Sequence, residues 1–213
     1  MAPCPVCRSA SGPRGFVVAE GKAYLRCEGC EATWLEPAFR LSLADERAHY
    51  DQHENAVDDP GYRRFLSKLA DPLCARLAPG AEGLDYGCGP GPALAAMLAE
   101  RGYKTALYDP AYAPDAAVLE RRYAFVTCTE TAEHFHDPAG EFDRLAELLE
   151  PGGVLAVMTC FQTDDARFAD WWYRKDPTHV VFYREATLER IAQARGLVFD
   201  SPVKDVAFLT KPR

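Results

Sequence analysis

The chain predicts an α/β fold, a parallel sheet with helices on both faces, preceded by a small cysteine-bound module. Three observations carry this. From residue 61 onward, short apolar runs alternate with segments whose apolar residues recur at helical spacing. That alternation lays crossover helices over a sheet buried on both faces. The first apolar run ends in a glycine-rich turn, GLDYGCGPG at 83–91, and a helix opens at Pro92. Ahead of all this stand two Cys-x-x-Cys pairs, Cys4/Cys7 and Cys27/Cys30.

Along the chain, the cysteines come first. Each Cys-x-x-Cys makes a tight turn that aims two thiolates at one ion, and two such turns complete the tetrahedral set that Zn²⁺ prefers. Cys4, Cys7, Cys27 and Cys30 are therefore expected to hold one zinc, structural because four thiolates leave no open position. The stretch between, FVVAEGKAYLRC, reads as a hairpin turning at Glu20-Gly21. Thr33, Trp34 and Leu35 supply a third strand. A redox Cys-x-x-Cys would open a helix in a βαβ unit, which this segment lacks. Residues 1–40 resemble a zinc ribbon. Cys74, Cys88, Cys128 and Cys160 lie on apolar patterns and read as small core or pocket residues.

A polar connector, 41–60, follows and is partly helical early on. His49 and His53 stand four apart, on one face of a helix, where a solvated face is the ordinary reading and a metal pair the alternative. Residues 61–77 carry Phe65, Leu66, Leu69, Leu73 and Leu77 at helical spacing, with Pro72 expected to kink or divide the helix. A strand at 83–87 precedes a helix at 92–101 capped by Gly102. Strands follow at 104–109 and 124–130. A helix at 139–149 ends before Pro151-Gly152-Gly153, which turns the chain into a strand at 154–160. The segment 162–183 is a long aromatic connector. A helix from Glu185 to Arg195 ends at Gly196, and strands near 197–201 and 205–210 close the sheet.

The glycine turn indicates chemistry. Glycines serve where backbone turns sharply and a ligand approaches too closely for a Cβ, and the following helix start offers free N–H groups. A second strand, TALYD, ends in Asp109, placed to accept from ribose hydroxyls. The dinucleotide fingerprint Gly-x-Gly-x-x-Gly is not matched, since the third glycine comes one place early. The form DYGCGPG resembles motif I of the class I S-adenosylmethionine-dependent methyltransferases, whose sheet is Rossmann-like. FVTCTETAEHFHDP at 125–138 resembles that family's fourth strand and post-strand motif. LLEPGGVLAVMT at 148–159 resembles its Leu-x-Pro-Gly-Gly turn, and residues 171–196 the late segment of a small-molecule-type subgroup.

The resemblance covers about residues 61–213 and implies one catalytic domain there. It implies that Asp85 contacts the cofactor's methionine part, that Gly87, Cys88, Gly89 and Gly91 line its homocysteine and ribose, that Asp109 binds the ribose hydroxyls, and that Glu130 belongs to the same site. It also implies an antiparallel strand near the C-terminus and an N-terminal lid, to which Tyr50 and His53 would belong. One departure is plain. Only Pro110 and AYAPDAAVLERRY separate Asp109 from Ala124, too little for a third strand, and Tyr123 and Ala124 stand where the family carries an acid. Adenine contacts then fall to Tyr112, Thr127 or Cys128 and to packing, with Pro110 also expected to bind the cofactor.

Methyl transfer needs a nucleophile held in line, water excluded and, for some acceptors, a proton removed. Trp171, Trp172 and Tyr173 offer an aromatic wall. His179 is the expected general base, because its free pKa lies near working pH; Asp176 would orient it, with Tyr183 four residues beyond. A histidine bonded into the fold is the alternative, and His134 is a second candidate. A net charge of −8 disfavours RNA as partner and favours a small-molecule acceptor. An RNA methyltransferase carrying a zinc ribbon and a non-catalytic cofactor-binding protein are the other readings. No run of eighteen apolar residues suggests a membrane span. The start MAPCPVCRS lacks an apolar signal region, and eight cysteines without one fit metal in a reducing cytoplasm. Oligomeric state does not follow.

Overall fold

The computed structural model describes residues 3–10, 13–50 and 56–213. Its elements begin with a three-stranded ribbon, β1 (Arg14–Ala19), β2 (Lys22–Arg26) and β3 (Thr33–Leu35), followed by α1 (Leu43–Tyr50) and α2 (Pro60–Cys74). There follow β4 (Glu82–Tyr86), α3 (Ala93–Glu100), β5 (Lys104–Tyr108), β6 (Tyr123–Thr129), α4 (Pro138–Glu147) and β7 (Leu149–Met158). The chain closes with α5 (Trp172–Lys175), β8 (Val181–Phe182), α6 (Glu185–Ala194), β9 (Val198–Val203) and β10 (Val206–Thr210).

The main sheet has six strands in the order β5-β4-β6-β7-β10-β9. Its first four run parallel, and β10 is antiparallel to both β7 and β9. Asp59 caps α2, its side chain accepting the Tyr62 N–H at 2.6 Å. The helix runs through Pro72 and ends two residues later, so the proline sits in the last turn and divides nothing. Helices α2 and α3 pack Leu66, Leu69, Leu94 and Leu98 on one sheet face with Phe125 and Phe208. On the other face, Phe142 and Leu145 of α4 and Leu188 and Ile191 of α6 pack with Leu84, Val126 and Cys128. No helix among the described residues is long and apolar enough to cross a membrane.

Between β5 and β6 there is one 3-10 turn, Ala116–Glu120, and no strand, as the short spacing requires. Strand β7 starts earlier than expected. Leu149 already pairs with Tyr123, and the register slips before Phe125 pairs with Val154. Pro151-Gly152-Gly153 is therefore a bulge inside the strand rather than a turn ahead of it.

The ribbon is built into the sheet domain. Strand β8 pairs antiparallel with β3, Thr33 opposite Phe182 and Trp34 opposite Val181, which makes a four-stranded sheet β1-β2-β3-β8. Cys4, Cys27, Cys30 and Trp34 share one apolar cluster with Tyr183, Leu188 and Ile191. Arg26 reaches across with both guanidinium NH₂ groups to Asp165 at 2.7 Å each.

Gly83 makes room for the ring of Phe125. A Cβ there would lie 2.1 to 2.4 Å from three ring atoms, and the ring is fully buried. Gly83→Ala is expected to destabilise the chain by about 1–3 kcal/mol. Adding Phe125→Leu in the same chain should recover part of that loss in urea denaturation midpoints.

Candidate active site and cysteine centre

Strand β4 delivers Asp85 at its carboxyl end, buried to 4% exposure, where Oδ1 accepts the Thr127 hydroxyl at 2.7 Å. Burial pushes its carboxyl up to about 6 against that hydrogen bond. The chain then turns at Gly87, φ +78°, where a Cβ would lie 2.3 Å from the Thr131 methyl. The N–H groups of Gly87 and Cys88 both donate to the Tyr108 carbonyl, at 2.8 and 3.2 Å. Gly89 also has a positive φ, +61°, and nothing stands within 4 Å of a Cβ built on it. Asp109, just past β5, ties the turn together. One carboxylate oxygen accepts the Gly89 N–H at 3.1 Å, and the other accepts the N–H groups of Ala111 and Tyr112 at 2.8 and 3.1 Å.

Tyr62 of α2 faces this loop. Burial, then the carboxyls of Asp85 and Glu130, push its hydroxyl up to about 12. Beside it a cavity of about 90 Å³ opens at the carboxyl ends of β6 and β7, lined by Phe65, Lys68, Glu130, Cys160, Trp172 and Asp205. Glu130 is a non-glycine residue at φ +48°, a conformation tolerated where surrounding structure fixes it. Burial and the neighbouring Glu133 push its carboxyl up to about 9, so it is neutral at pH 7. Trp172 is 70% exposed at the rim.

Next to this crevice lies a buried polar cluster. The Glu133 carboxylate, fully buried, accepts the Tyr173 hydroxyl at 2.5 Å and the Thr159 hydroxyl at 3.0 Å. His179 donates Nδ1–H to the Tyr173 carbonyl at 2.7 Å, which leaves the Nε2 lone pair free to receive a proton or cation. Burial holds its pKa down. His134 lies 4.8 Å away, ring centre to ring centre, with Nδ1 3.0 Å from both the Thr178 carbonyl and the Tyr50 hydroxyl.

The cysteines form a second centre. Cys4 Sγ lies 3.8 Å from Cys30 Sγ, and Cys7 Sγ lies 3.7 Å from Cys27 Sγ. Four sulfurs held about 2.3 Å from one tetrahedral ion stand about 3.8 Å apart, so the spacing fits zinc. The two knuckles are copies of each other. Cys4 and Cys27 accept at their carbonyls from Arg8 and Glu31, both 2.9 Å, and their N–H groups donate to Ser9 and Ala32. Arg8 and Glu31 both take a positive φ, 57° and 60°.

The structure gathers some expected residues and separates others. Asp85 ends β4 and leads into Gly87, Cys88, Gly89 and Gly91, Asp109 follows β5 with Pro110 and Tyr112 in its turn, and Glu130 follows β6, all at the carboxyl ends of neighbouring parallel strands; of these Glu130 lines the cavity of about 90 Å³. Thr127 and Cys128 do not face it. Both are fully buried, Thr127 spends its hydroxyl on Asp85, and Cys128 faces the α4–α6 core. Tyr183 is sealed as well, donating to the Ala132 carbonyl at 2.8 Å. Asp176 does not orient His179. It accepts the Thr178 N–H and hydroxyl, which hold its carboxyl down against burial, and stands 4.0 Å from Nε2. The Tyr173 carbonyl does the orienting. The aromatic wall splits three ways: Trp172 at the rim, Tyr173 in the polar cluster, Trp171 against Phe168 and Phe182 of the ribbon core. His53 lies outside the described residues, so the His49/His53 pair does too. Tyr62 was missed, although its place on the apolar side of a helix ahead of the glycine strand was readable. Glu133, an acid amid apolar positions just after a strand, gave a similar unused signal.

Structures of this shape are known. A 1,6-didemethyltoxoflavin-N1-methyltransferase of Burkholderia thailandensis, solved with 1,6-didemethyltoxoflavin and S-adenosylhomocysteine, is 16% identical. It covers 94% of this chain and 99% of its own, with a TM-score of 0.58. Magnesium protoporphyrin IX methyltransferase from Synechocystis PCC 6803 is 15% identical over 80% of this chain and 95% of its own, with a TM-score of 0.54. At such identities the likeness is one of fold. No curated protein matches the chain. The family model for the methyltransferase domain matches residues 49–201, well over half the sequence, and the chain belongs to that family.

Proposed function

We propose that the chain transfers a methyl group from S-adenosylmethionine to a small-molecule acceptor and carries a structural zinc on Cys4, Cys7, Cys27 and Cys30. One observation carries the reading: the open backbone at Gly89 lies between Asp85 and Asp109, at the carboxyl ends of adjacent parallel strands. Asp85 would hold the methionine part, Gly87 to Gly91 the homocysteine and ribose edge, and Asp109 the ribose hydroxyls. Pro110 and Tyr112 would flank adenine. When bound, the cofactor supplies an activated methyl carbon on a sulfonium.

The chain's own residues position and shield. Tyr62 and Phe65 close the crevice from above, and Trp172 offers a flat apolar surface to a ring-bearing acceptor. Neutral Glu130 donates a hydrogen bond to an acceptor heteroatom. His179, with its Nδ1 fixed on the Tyr173 carbonyl, would take up on Nε2 the proton that an acceptor releases. The negative chain and the small cavity favour a metabolite over a polymer. Zinc on the cysteines fixes β3, and β3 holds β8 and the residues just before it, His179 among them.

Calorimetry with S-adenosylmethionine and S-adenosylhomocysteine tests this directly. Both should bind, and Asp109→Ala should weaken binding at least tenfold, about 1.4 kcal/mol. Silence from both ligands overturns the reading.

Asp85 sets a pH dependence. Its folded pKa, about 6, is raised above the ordinary value of 3.8. Its contribution to stability is thus complete below about pH 4 and is lost as pH rises through about 6, by about 3 kcal/mol. In the unliganded protein, Asp85→Asn should melt higher than wild type, the gap widening between about pH 4 and pH 6 and staying level above about pH 7. The same variant should bind the cofactor worse, and wild-type affinity should rise with pH as Asp85 ionises.

Cys27→Ser with Cys30→Ser should release the zinc and lower methyl transfer at least tenfold, about 1.4 kcal/mol in the barrier. Cofactor affinity should change much less, because the glycine loop does not rest on the ribbon. Metal analysis beside single-turnover assays reads both.

A further inference from the structure

Among the described residues, two groups of side chains have the makings of a metal site: the four cysteines, and Glu133, His134 and His179. We propose that Glu133, His134 and His179 bind a second metal ion, a divalent first-row transition ion, beside the acceptor crevice.

The tautomers point this way. His179 Nδ1 faces the Tyr173 carbonyl and His134 Nδ1 faces the Thr178 carbonyl, at 2.7 and 3.0 Å. Carbonyls only accept, so the His179 proton sits on Nδ1, and the Thr178 carbonyl draws the His134 proton to Nδ1 as well, with the Tyr50 hydroxyl 3.0 Å away as a second acceptor; both Nε2 atoms then carry lone pairs. This is the arrangement metal-bound imidazoles share, with the outer nitrogen fixed on a backbone oxygen. Neither Nε2 meets a hydrogen-bond donor among the described residues; each is approached instead by a carboxylate at 4.0 Å, Glu133 for His134 and Asp176 for His179. A lone pair facing a carboxylate repels it unless a proton or a cation lies between them, and Asp176 also has His49 Nε2 at 3.6 Å.

The spacing is compatible. Two donors each about 2.1 Å from one ion stand at most about 4.2 Å apart, and His134 Nε2 lies 4.0 Å from Glu133 Oε1. One ligand atom from each of the three residues falls within 4.8 Å of the others, against about 3.4 Å for tetrahedral donors, so binding an ion draws the widest pair together by about 1.4 Å. Glu133 is fixed for the task, its oxygens already oriented by Tyr173 and Thr159 and each keeping a lone pair. Two imidazoles and one carboxylate suit zinc, iron or cobalt and leave positions open. Where the crevice is the acceptor site, as proposed above, those positions take an acceptor oxygen; ion binding itself does not rest on that reading.

The test is a metal count on the full chain. Protein stripped by chelator and reloaded with cobalt should hold about two ions, one of them giving the thiolate-to-cobalt absorption of the cysteine site. Glu133→Gln and His134→Ala/His179→Ala should fall to about one ion and keep that absorption, which also reports that β3 and β8 are still folded. Wild-type protein saturating at one cobalt, or the double variant keeping two, overturns the proposal. Should the variants not fold, X-ray absorption on zinc-loaded wild type decides. A mixed shell of sulfur with nitrogen and oxygen supports the second site, and a pure four-sulfur shell overturns it. Calorimetry with S-adenosylmethionine on the same preparation tests the methyltransferase reading apart from the metal count.

Discussion

The backbone of Val180 is held from both sides, and the arrangement of the crevice depends on that. Its carbonyl accepts the Leu35 N–H from the ribbon at 2.9 Å, and its N–H donates to the Glu133 carbonyl at 2.9 Å. One residue thus ties the cysteine module to the loop after β6. Each bond is worth only about 1 kcal/mol net, so their importance is positional. His179 precedes Val180, and β8 follows it with two residues paired to β3. Without the ribbon, the long segment between β7 and α6 would lose its fixed point.

The acids near the strand ends go against ordinary folding economy. Asp85 and Glu133 are removed from water and Glu130 is half-buried at the cavity, and desolvation raises the carboxyls of Asp85 and Glu130. None forms an ion pair with Lys or Arg among the described residues within 4.0 Å, although Lys68 lies near enough to temper Glu130. Buried acids without cations cost stability, and departures from good folding rules gather at functional sites. On the proposed reading the missing positive charge arrives with the ligands, so the occupied protein is the better-balanced one.

How legible each part was depends on the range of the interaction behind it. The glycine turn, the cysteine knuckles and the alternation of strands and helices are local patterns, and they were readable. So was the missing third strand, since chain length alone forbids it. Strand β8 was not, because two residues become a strand only through β3, far away in sequence. Thr127 and Cys128 are expected at the crevice because the acid before β6 is missing; they turn out buried, and a strand buried on both faces carries no alternation to show which side chains point where. The sequence singles out His179 and offers Asp176 as its orienting partner, but the Tyr173 carbonyl fills that place. Asp176, three residues away, is visible as a side chain; a backbone carbonyl has no signature in sequence.

Loss of the third strand leaves β5 as a sheet edge, and the chain compensates locally. Asp109 pairs with Ala113 by two backbone hydrogen bonds at 3.0 Å and holds Ala111 and Tyr112 with its side chain, folding the exit of β5 back on itself. From the other side α1 leans in, with the Arg47 guanidinium 5.7 Å from the centre of the Tyr112 ring. A strand and an acidic side chain are thus replaced by a capped turn and an aromatic ring under a cation. A ring packed in this way offers a flat face in place of a carboxylate's two oxygens, so on the proposed reading adenine at this edge is held by stacking, and recognition of its exocyclic amine by a side-chain acid gives way to shape.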